Sequence, residues 1–200
     1  MKPARLVLIV SSALFCAMPF HVLHAHDHHD EHDHHAHAAH EHGVATLRVA
    51  SAGKALVIEF LSPLDNLVGF EHEPRSDEQR KAMADAETLL RDGAALFSLP
   101  AAAGCQLLGA KLDSPWLQSE QPGHDHGHGH SDVQGAAAQE GHADLTASYR
   151  FECSSPDRLD SLNARLFDSF PRLREVRAER ATASGQGAAV LTPGKTELPL

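Results

Sequence analysis

The chain has too few basic residues for a nucleic acid or an anionic membrane as its partner. It carries 17 Lys and Arg against 27 Asp and Glu, which gives a formal net charge of −10. Polyanionic partners are held by clustered cations, and no stretch of this sequence forms a basic patch. The acidic balance therefore argues against both partners and favours cations as ligands.

Long apolar runs are also missing. The most apolar stretch, residues 6–18, is too short for a bilayer, because a transmembrane helix needs about 20 residues. It follows Lys2 and Arg5, a pattern typical of a secretory signal peptide, and we place the cleavage after Ala25. We predict a signal peptide at 1–25, export to a bacterial periplasm and no membrane insertion after cleavage. Lipidation at Cys16 is disfavoured because Phe15 is too bulky for a lipobox.

Cysteine is scarce, with three residues in the whole chain. Only Cys105 and Cys153 remain after the predicted cleavage. In an oxidising compartment an even pair is typical of a disulfide, which we predict here. The alternative is two free buried thiols, which would react with a thiol reagent after denaturation without reductant.

Catalytic motifs are absent as well. The chain has no Gly-x-Ser-x-Gly elbow and no phosphate-binding glycine loop. The one match, HHDEH at residues 28–32, fits H-x-x-E-H, but that motif acts only on a helix within a closed site. In a tract that is more than half histidine the match is expected by chance. We therefore predict that the protein is not an enzyme.

Histidine is what the chain has in excess. Residues 26–42, HDHHDEHDHHAHAAHEH, hold nine histidines and five carboxylates, with no aliphatic side chain larger than alanine. Such a tract offers no apolar area to offset chain entropy, so we predict a disordered tail. Imidazole and carboxylate are ligands of zinc. The predicted zinc ligands in this tail are His26, His28, His29, His32, His34, His35, His37, His40 and His42.

A second histidine run, HDHGHGH, lies at residues 124–130. It falls within residues 114–141, whose glycine, proline, glutamine and alanine predict a flexible insertion. Its predicted zinc ligands are His124, His126, His128 and His130. The alternative for both runs is a solubilising low-complexity segment. Cleavage after Ala25 would also leave a free amine with histidine third, which suits square-planar Cu²⁺ or Ni²⁺ better than Zn²⁺.

Residues 43–200 read as one α+β domain with a mostly antiparallel sheet of six or seven strands and two helices. Residues 62–74 predict an ordered loop packed on the core. Predicted strands cover 44–50, 55–61, 105–113, 142–153, 174–182, 188–192 and a short edge at 196–198. Predicted helices cover 76–92, with a capping box at its start, and 155–170, with Leu159, Leu162, Leu166 and Phe170 on one face.

A preorganised metal site in the folded domain is a further hypothesis. His72 and His142 are the only histidines of the mature chain outside the two runs. His142 and Asp144 share one face of a predicted strand, at a spacing compatible with one metal, and His72 would supply a third ligand. The alternative is that His72 is a hydrogen-bonding loop residue and that His142 only ends the insertion.

The segment SPLDNLVGFEH at residues 62–72 resembles the zinc-regulated periplasmic proteins of the ZrgA type. The similarity continues in order through Cys105, His142-Ala143-Asp144, Tyr149-x-Phe151-x-Cys153, Phe170-Pro171, Gly185-Gln186 and Leu191-Thr192. It covers nearly all of residues 43–200. The resemblance implies a Gram-negative periplasmic zinc-binding protein that is made under zinc limitation and assists zinc import.

The functional prediction is therefore a periplasmic protein that scavenges zinc ions and passes them to an import system. One alternative is a periplasmic buffer or detoxifier of zinc, copper or nickel. Another is a docking module that binds a transporter in a metal-dependent way.

Overall fold

The computed structural model describes residues 41–117 and 143–200. These residues belong to one compact unit, His37–Leu200, whereas a separate unit, Met1–Ala36, lies outside the described part. The predicted signal peptide, the tail before Glu41 and the insertion from 118 onward, with His124 to His130 and His142, also fall outside it.

Alternating apolar residues form two sheets. Every second side chain is buried along most of residues 44–52, 55–63 and 144–153, so these three strands need a covered face. The larger sheet has six strands in the order β4-β5-β2-β1-β7-β8, and the smaller one has the order β3-β6-β9. The strands are β1 (Val44–Ala52), β2 (Ala55–Pro63), β3 (Phe97–Ser98), β4 (Cys105–Asp113), β5 (Asp144–Cys153), β6 (Ser161–Ala164), β7 (Glu175–Thr182), β8 (Gly185–Leu191) and β9 (Glu197–Pro199).

All strand pairs are antiparallel except β1 with β7, which is parallel. In the described residues, four short or medium helices accompany the sheets: α1 (Leu64–Val68), α2 (Asp77–Arg91), α3 (Gly93–Leu96) and α4 (Leu166–Ser169). The predicted α+β class with a mostly antiparallel sheet is confirmed. Along residues 41–117 and 143–200, the longest helix has 15 residues, and none is long and apolar enough to cross a bilayer.

Helix α2 forms where the sequence predicts it. The hydroxyl of Ser76 accepts a hydrogen bond from the backbone N–H of Gln79 at 3.2 Å, which satisfies one of the free donors at the helix start. Met83, Ala86 and Leu90 are buried and lie at helical spacing on one face. This face joins the core formed by the inner side of the large sheet.

The predicted helix at 155–170 is wrong. The segment contains a 3₁₀ turn (Pro156–Arg158), then β6 and α4. Leu162 and Ala164 are buried in alternation, and β6 pairs with β3 on one side and β9 on the other. These partners satisfy the backbone groups that a helix would have paired internally. Leu162, Leu166 and Phe170 fit both the spacing of a helix face and that of a strand face. Pairing with the distant strands β3 and β9 therefore determines that residues 161–164 form a strand.

The predicted disulfide between Cys105 and Cys153 is confirmed. The two residues face each other across β4 and β5 at the first residue of one strand and the last residue of the other. The bond therefore closes the end of this strand pair that lies opposite the insertion.

Tyr149 lies at the centre of the core on β5. Its side chain is 0 % exposed and meets the ring of Phe97 edge-on, with the centroids 5.1 Å apart. An added Cβ on Gly93 would meet the Tyr149 ring, so this packing requires glycine there. The hydroxyl of Tyr149 has no hydrogen-bond partner among the described residues, and burial raises the pKa of the phenol above its usual value of 10.0.

We expect Tyr149→Phe to raise the free energy of unfolding by about 1 kcal/mol at neutral pH, because it removes a buried hydroxyl without breaking a hydrogen bond. The unfolded chain ionises this phenol near pH 10, whereas the folded chain holds the proton, so the wild type should lose stability above about pH 10. The variant should lack this part of the alkaline decline. Urea unfolding at pH 7 and pH 10.5 measures both effects, and a destabilised variant at pH 7 would contradict the prediction.

Candidate metal site

Both predicted histidine-rich segments join the folded domain at one end of the large sheet. The tail runs into β1 through Gly43, and the insertion returns to β5 through Ala143. These two strands flank β2, which ends at Pro63 opposite Asp144, and the β1 register brings Val44 to the same level. Two strand spacings amount to about 10 Å. The two segments therefore reach the sheet about 10 Å apart.

Helix α1 follows directly on β2 and is bonded to both neighbouring strand starts. The N–H of Leu64 donates to the carbonyl of Ala143 at 2.9 Å. The N–H of Gly43 donates to the side-chain oxygen of Asn66 at 2.6 Å, and the Asn66 amide nitrogen donates to the carbonyl of Val44 at 2.8 Å. Asn66 is 1 % exposed, so these bonds form away from water. One short helix thus fixes the start of β1 and the start of β5.

The family-like segment at residues 62–72 contains α1 and Asn66, which together hold the starts of β1 and β5; we call this arrangement the clamp. It supplies the last residues of β2, all of α1 and the loop that follows. The hydroxyl of Ser62 is buried and accepts a hydrogen bond from Asn66 at 3.1 Å. Gly69 ends α1 with φ of +88°, a conformation that favours glycine. The segment therefore leads the chain from the buried clamp to Glu71 and His72 on the outside.

We call His42 and Gly43 the tail root. Of two arginines between α4 and β7, Arg174 contacts the tail root and Arg172 contacts Asp65 in α1. Arg172 donates to both carboxylate oxygens of Asp65, at 2.8 and 2.9 Å, and to the Asp65 carbonyl at 2.9 Å. Arg174 donates from its side chain to the carbonyl of His42 at 3.0 Å and from its backbone to the carbonyl of Gly43 at 2.8 Å. The backbone of the tail root therefore accepts hydrogen bonds from Arg174 and donates one to the side chain of Asn66.

The imidazole of His42 lies between two carboxylates. Its Nε2 is 3.6 Å from Oε1 of Glu71, and its Nδ1 is 3.9 Å from Oδ2 of Asp65. The ring itself is 55 % exposed, whereas the carboxylates are 12 % and 14 % exposed. His42 is the one predicted tail ligand within the described residues, and the structure places it against the folded domain.

His72 has one ring nitrogen committed to the loop. Its Nδ1 lies 2.8 Å from the carbonyl of Glu73, and because a carbonyl can only accept, Nδ1 carries the proton. Nε2 then holds the lone pair. The ring also packs on Phe70, with centroids 5.3 Å apart. This hydrogen bond is expected if His72 is only a hydrogen-bonding loop residue. Metal-binding histidines usually make the same kind of bond through their second nitrogen, so the bond fits either role.

The predicted site of His72, His142 and Asp144 stays a prediction. Asp144 is the first residue of β5, and His142 lies outside the described residues. Within 41–117 and 143–200, no group of three or more His, Cys, Asp or Glu side chains is arranged to hold a metal ion. The described part of the domain therefore offers pairs of ligands at most.

A wide groove on the solvent-exposed face of the large sheet is lined by charged residues and not by metal-binding histidines. Its volume is about 790 Å³, and its charged lining includes Arg48, Glu59, Glu179 and Arg180. Arg48 pairs with Glu59 at 3.0 Å and with Glu179 at 3.7 Å. No histidine or cysteine lines the groove, so it lacks the nitrogen and sulfur ligands that zinc prefers.

The sequence matches the model of a known protein family. A family model described as ZrgA family zinc uptake protein matches residues 39–200. The chain belongs to the ZrgA family. The match includes the whole described part and begins within the histidine-rich tail. No curated protein shows a significant match to the chain.

Membership of the ZrgA family gives the chain a role in zinc uptake. Together with the disulfide, it indicates a protein that works outside the cytoplasm, because such bonds persist in oxidising compartments. The sequence reasoning missed Asp65, Glu71, Arg172 and Arg174 as neighbours of a predicted ligand. Asp65 and Glu71 lie in the family-like segment, which was the available signal, whereas no local pattern marks the two arginines.

Proposed function

We propose that this ZrgA-family protein captures zinc in the periplasm through its two histidine-rich runs and supplies it to an import system under zinc limitation. The observation that supports the proposal is that the chain enters β1 and β5, the strands that follow the two runs in sequence, at one end of the sheet beside α1. Two ligand-bearing segments that are anchored on strands about 10 Å apart have a high effective concentration for one ion. Binding and release of zinc, rather than catalysis, is the activity.

The chemistry of the ligands suits a carrier that must release its cargo. Both cysteines within the described residues are joined in a disulfide, so thiolates do not compete there for zinc. Histidine and carboxylate bind zinc less firmly than thiolate and exchange it more readily. A protein that hands zinc to a transporter needs this exchange.

The test uses a variant in which the twelve histidines at positions 26–40 and 124–130 become glutamine. We expect the mature wild type to bind several zinc ions by calorimetry and the variant to lose most of that capacity. A host lacking the gene should grow poorly in zinc chelator, and the wild type should restore growth while the variant should not.

Three results would contradict the proposal: no zinc binding by the wild type, full growth with the variant, or no growth defect in the host lacking the gene. Sensitivity of that host to excess zinc, copper or nickel, with normal growth in chelator, would instead indicate a buffer or detoxifier. A transporter captured only with metal present, and captured equally by the variant, would indicate the docking role.

A further inference from the structure

The spacing between His42 and Glu71 matches that of two zinc ligands. Their Nε2 and Oε1 atoms are 3.6 Å apart. Two atoms bound about 2.0–2.2 Å from a tetrahedral zinc ion lie about 3.3–3.6 Å from each other. An ion therefore fits between them with little movement of either side chain.

We propose that His42 and Glu71 form a two-ligand zinc site at the tail root that belongs to the folded domain. The proposal rests on the proposed function and locates, within the described part of the chain, a position where zinc is held. It differs from the predicted site of His72, His142 and Asp144, and it does not need the other histidines of the runs.

Asp65 is a positioning residue for this site. Its carboxylate lies on the Nδ1 side of the His42 ring, at 3.9 Å, and favours the tautomer that carries hydrogen on Nδ1. The lone pair is then on Nε2, which faces Glu71. Metal-binding histidines commonly donate a hydrogen bond from the far nitrogen to a carboxylate, and Asp65 lies on that side of the His42 ring, 3.9 Å from Nδ1. Asp65 is not a ligand of this site, because it lies on the Nδ1 side of the ring, away from an ion bound at Nε2.

The backbone at the tail root makes the pair preorganised. The His42 carbonyl accepts from Arg174, and the next N–H, that of Gly43, donates to buried Asn66. Two hydrogen bonds thus fix the chain on either side of the His42–Gly43 peptide bond. A ligand that is already held in place loses less entropy when the ion binds.

The charges around the pair point to modest affinity. Arg172 is bonded to the Asp65 carboxylate, and Arg174 donates to the His42 carbonyl, so two positive charges lie close to the pair. Nearby Arg177 is paired with Glu41 at 2.7 Å. Two protein ligands leave about two positions of a tetrahedral ion open. A second molecule can therefore bind the ion at an open position before either protein ligand leaves, which suits an ion that must be passed on.

The same geometry would arise from an ion pair between protonated His42 and the carboxylates, so the test must measure metal. It uses the full mature chain in which the twelve histidines at 26–40 and 124–130 are glutamine, leaving His42, His72 and His142. Zinc is titrated at pH 7.5 against a chromogenic zinc indicator. We expect one residual site in this background.

His42→Gln and Glu71→Gln should each weaken the residual site by at least about tenfold, as the loss of one of two ligands requires. His72→Gln and Glu73→Gln make the same chemical changes one and two residues from Glu71 and serve as matched controls. Each control should retain zinc affinity within about twofold, since neither residue is a ligand of the proposed site. Because the His42 side chain is 55 % exposed, His42→Gln remains informative even if Glu71→Gln fails to fold.

Absence of a residual site, or a control variant that loses as much affinity as His42→Gln, would overturn the two-ligand site. If zinc binding by the chain with intact runs persists in that case, the proposed function stands and only this site fails. If the chain with intact runs binds no zinc at all, the proposed function and this site fail together. If it binds zinc but the host lacking the gene grows normally in chelator, the proposed function fails, and the residual titration decides the site separately.

Discussion

Replacing Cys105 and Cys153 together with alanine is expected to lower the free energy of unfolding by about 4 kcal/mol. The disulfide joins residues that are 48 positions apart, so it removes many extended conformations from the unfolded chain. In the folded protein the two residues already face each other across β4 and β5. The effect therefore arises mainly in the unfolded state, and the strand pair should survive without the bond.

Urea unfolding of the wild type with and without reductant measures this effect directly. The reduced wild type keeps both sulfur atoms, which separates the crosslink from the small cavity that alanine leaves at buried Cys153. The double variant should respond to urea identically with and without reductant. A change below about 1 kcal/mol on reduction, or free thiols in unreduced denatured protein, would show that the bond does not stabilise the chain as expected.

Strands β1, β2 and β5 were predictable because each has one buried face. Residues 143–153 bury every second side chain, so their sequence alone reveals both the strand and its inner face. Helix α2 was predictable because its amphipathic stripe and its Ser76 cap are both local. The error at 155–170 has a different origin, since β6 exists only through β3 and β9, which lie far away in sequence. The spacing of hydrophobic residues along the chain does not predict such distant pairing.

The candidate site was predictable only in part for the same reason. Histidine content predicted His42 as a ligand, and the family-like segment contains Asp65 and Glu71. The contacts that hold them join residues 107 positions apart, Arg172 with Asp65, and 132 positions apart, Arg174 with His42. The parallel pairing of β1 with β7 brings these residues together, and no local pattern predicts it. Helix α1 was also missed, because five residues are too few for a periodic signal.

Asn66→Ala is expected to lower the free energy of unfolding by about 3 kcal/mol. The substitution removes the acceptor of the Gly43 N–H and the donor to the Val44 carbonyl, and it leaves these backbone groups without their partner beside a buried position. Each buried polar group that loses its partner costs about 1–3 kcal/mol. Urea unfolding gives the total, and hydrogen exchange at the Gly43 amide shows whether the loss is located at the tail root.

Asn163→Ala is the matched control for this prediction. Asn163 is partly buried and makes one side-chain hydrogen bond, from its amide nitrogen to the hydroxyl of Thr196 at 3.0 Å, so its loss should cost about 1 kcal/mol. If the two variants were equally stable, the clamp at α1 would not fix the tail root. If Asn66→Ala is the weaker variant and also speeds exchange at Gly43, the residue that anchors the family-like segment also holds His42 against the folded domain. Zinc affinity of the glutamine-substituted chain should then fall with Asn66→Ala, because a loosened His42 must be ordered again each time an ion binds.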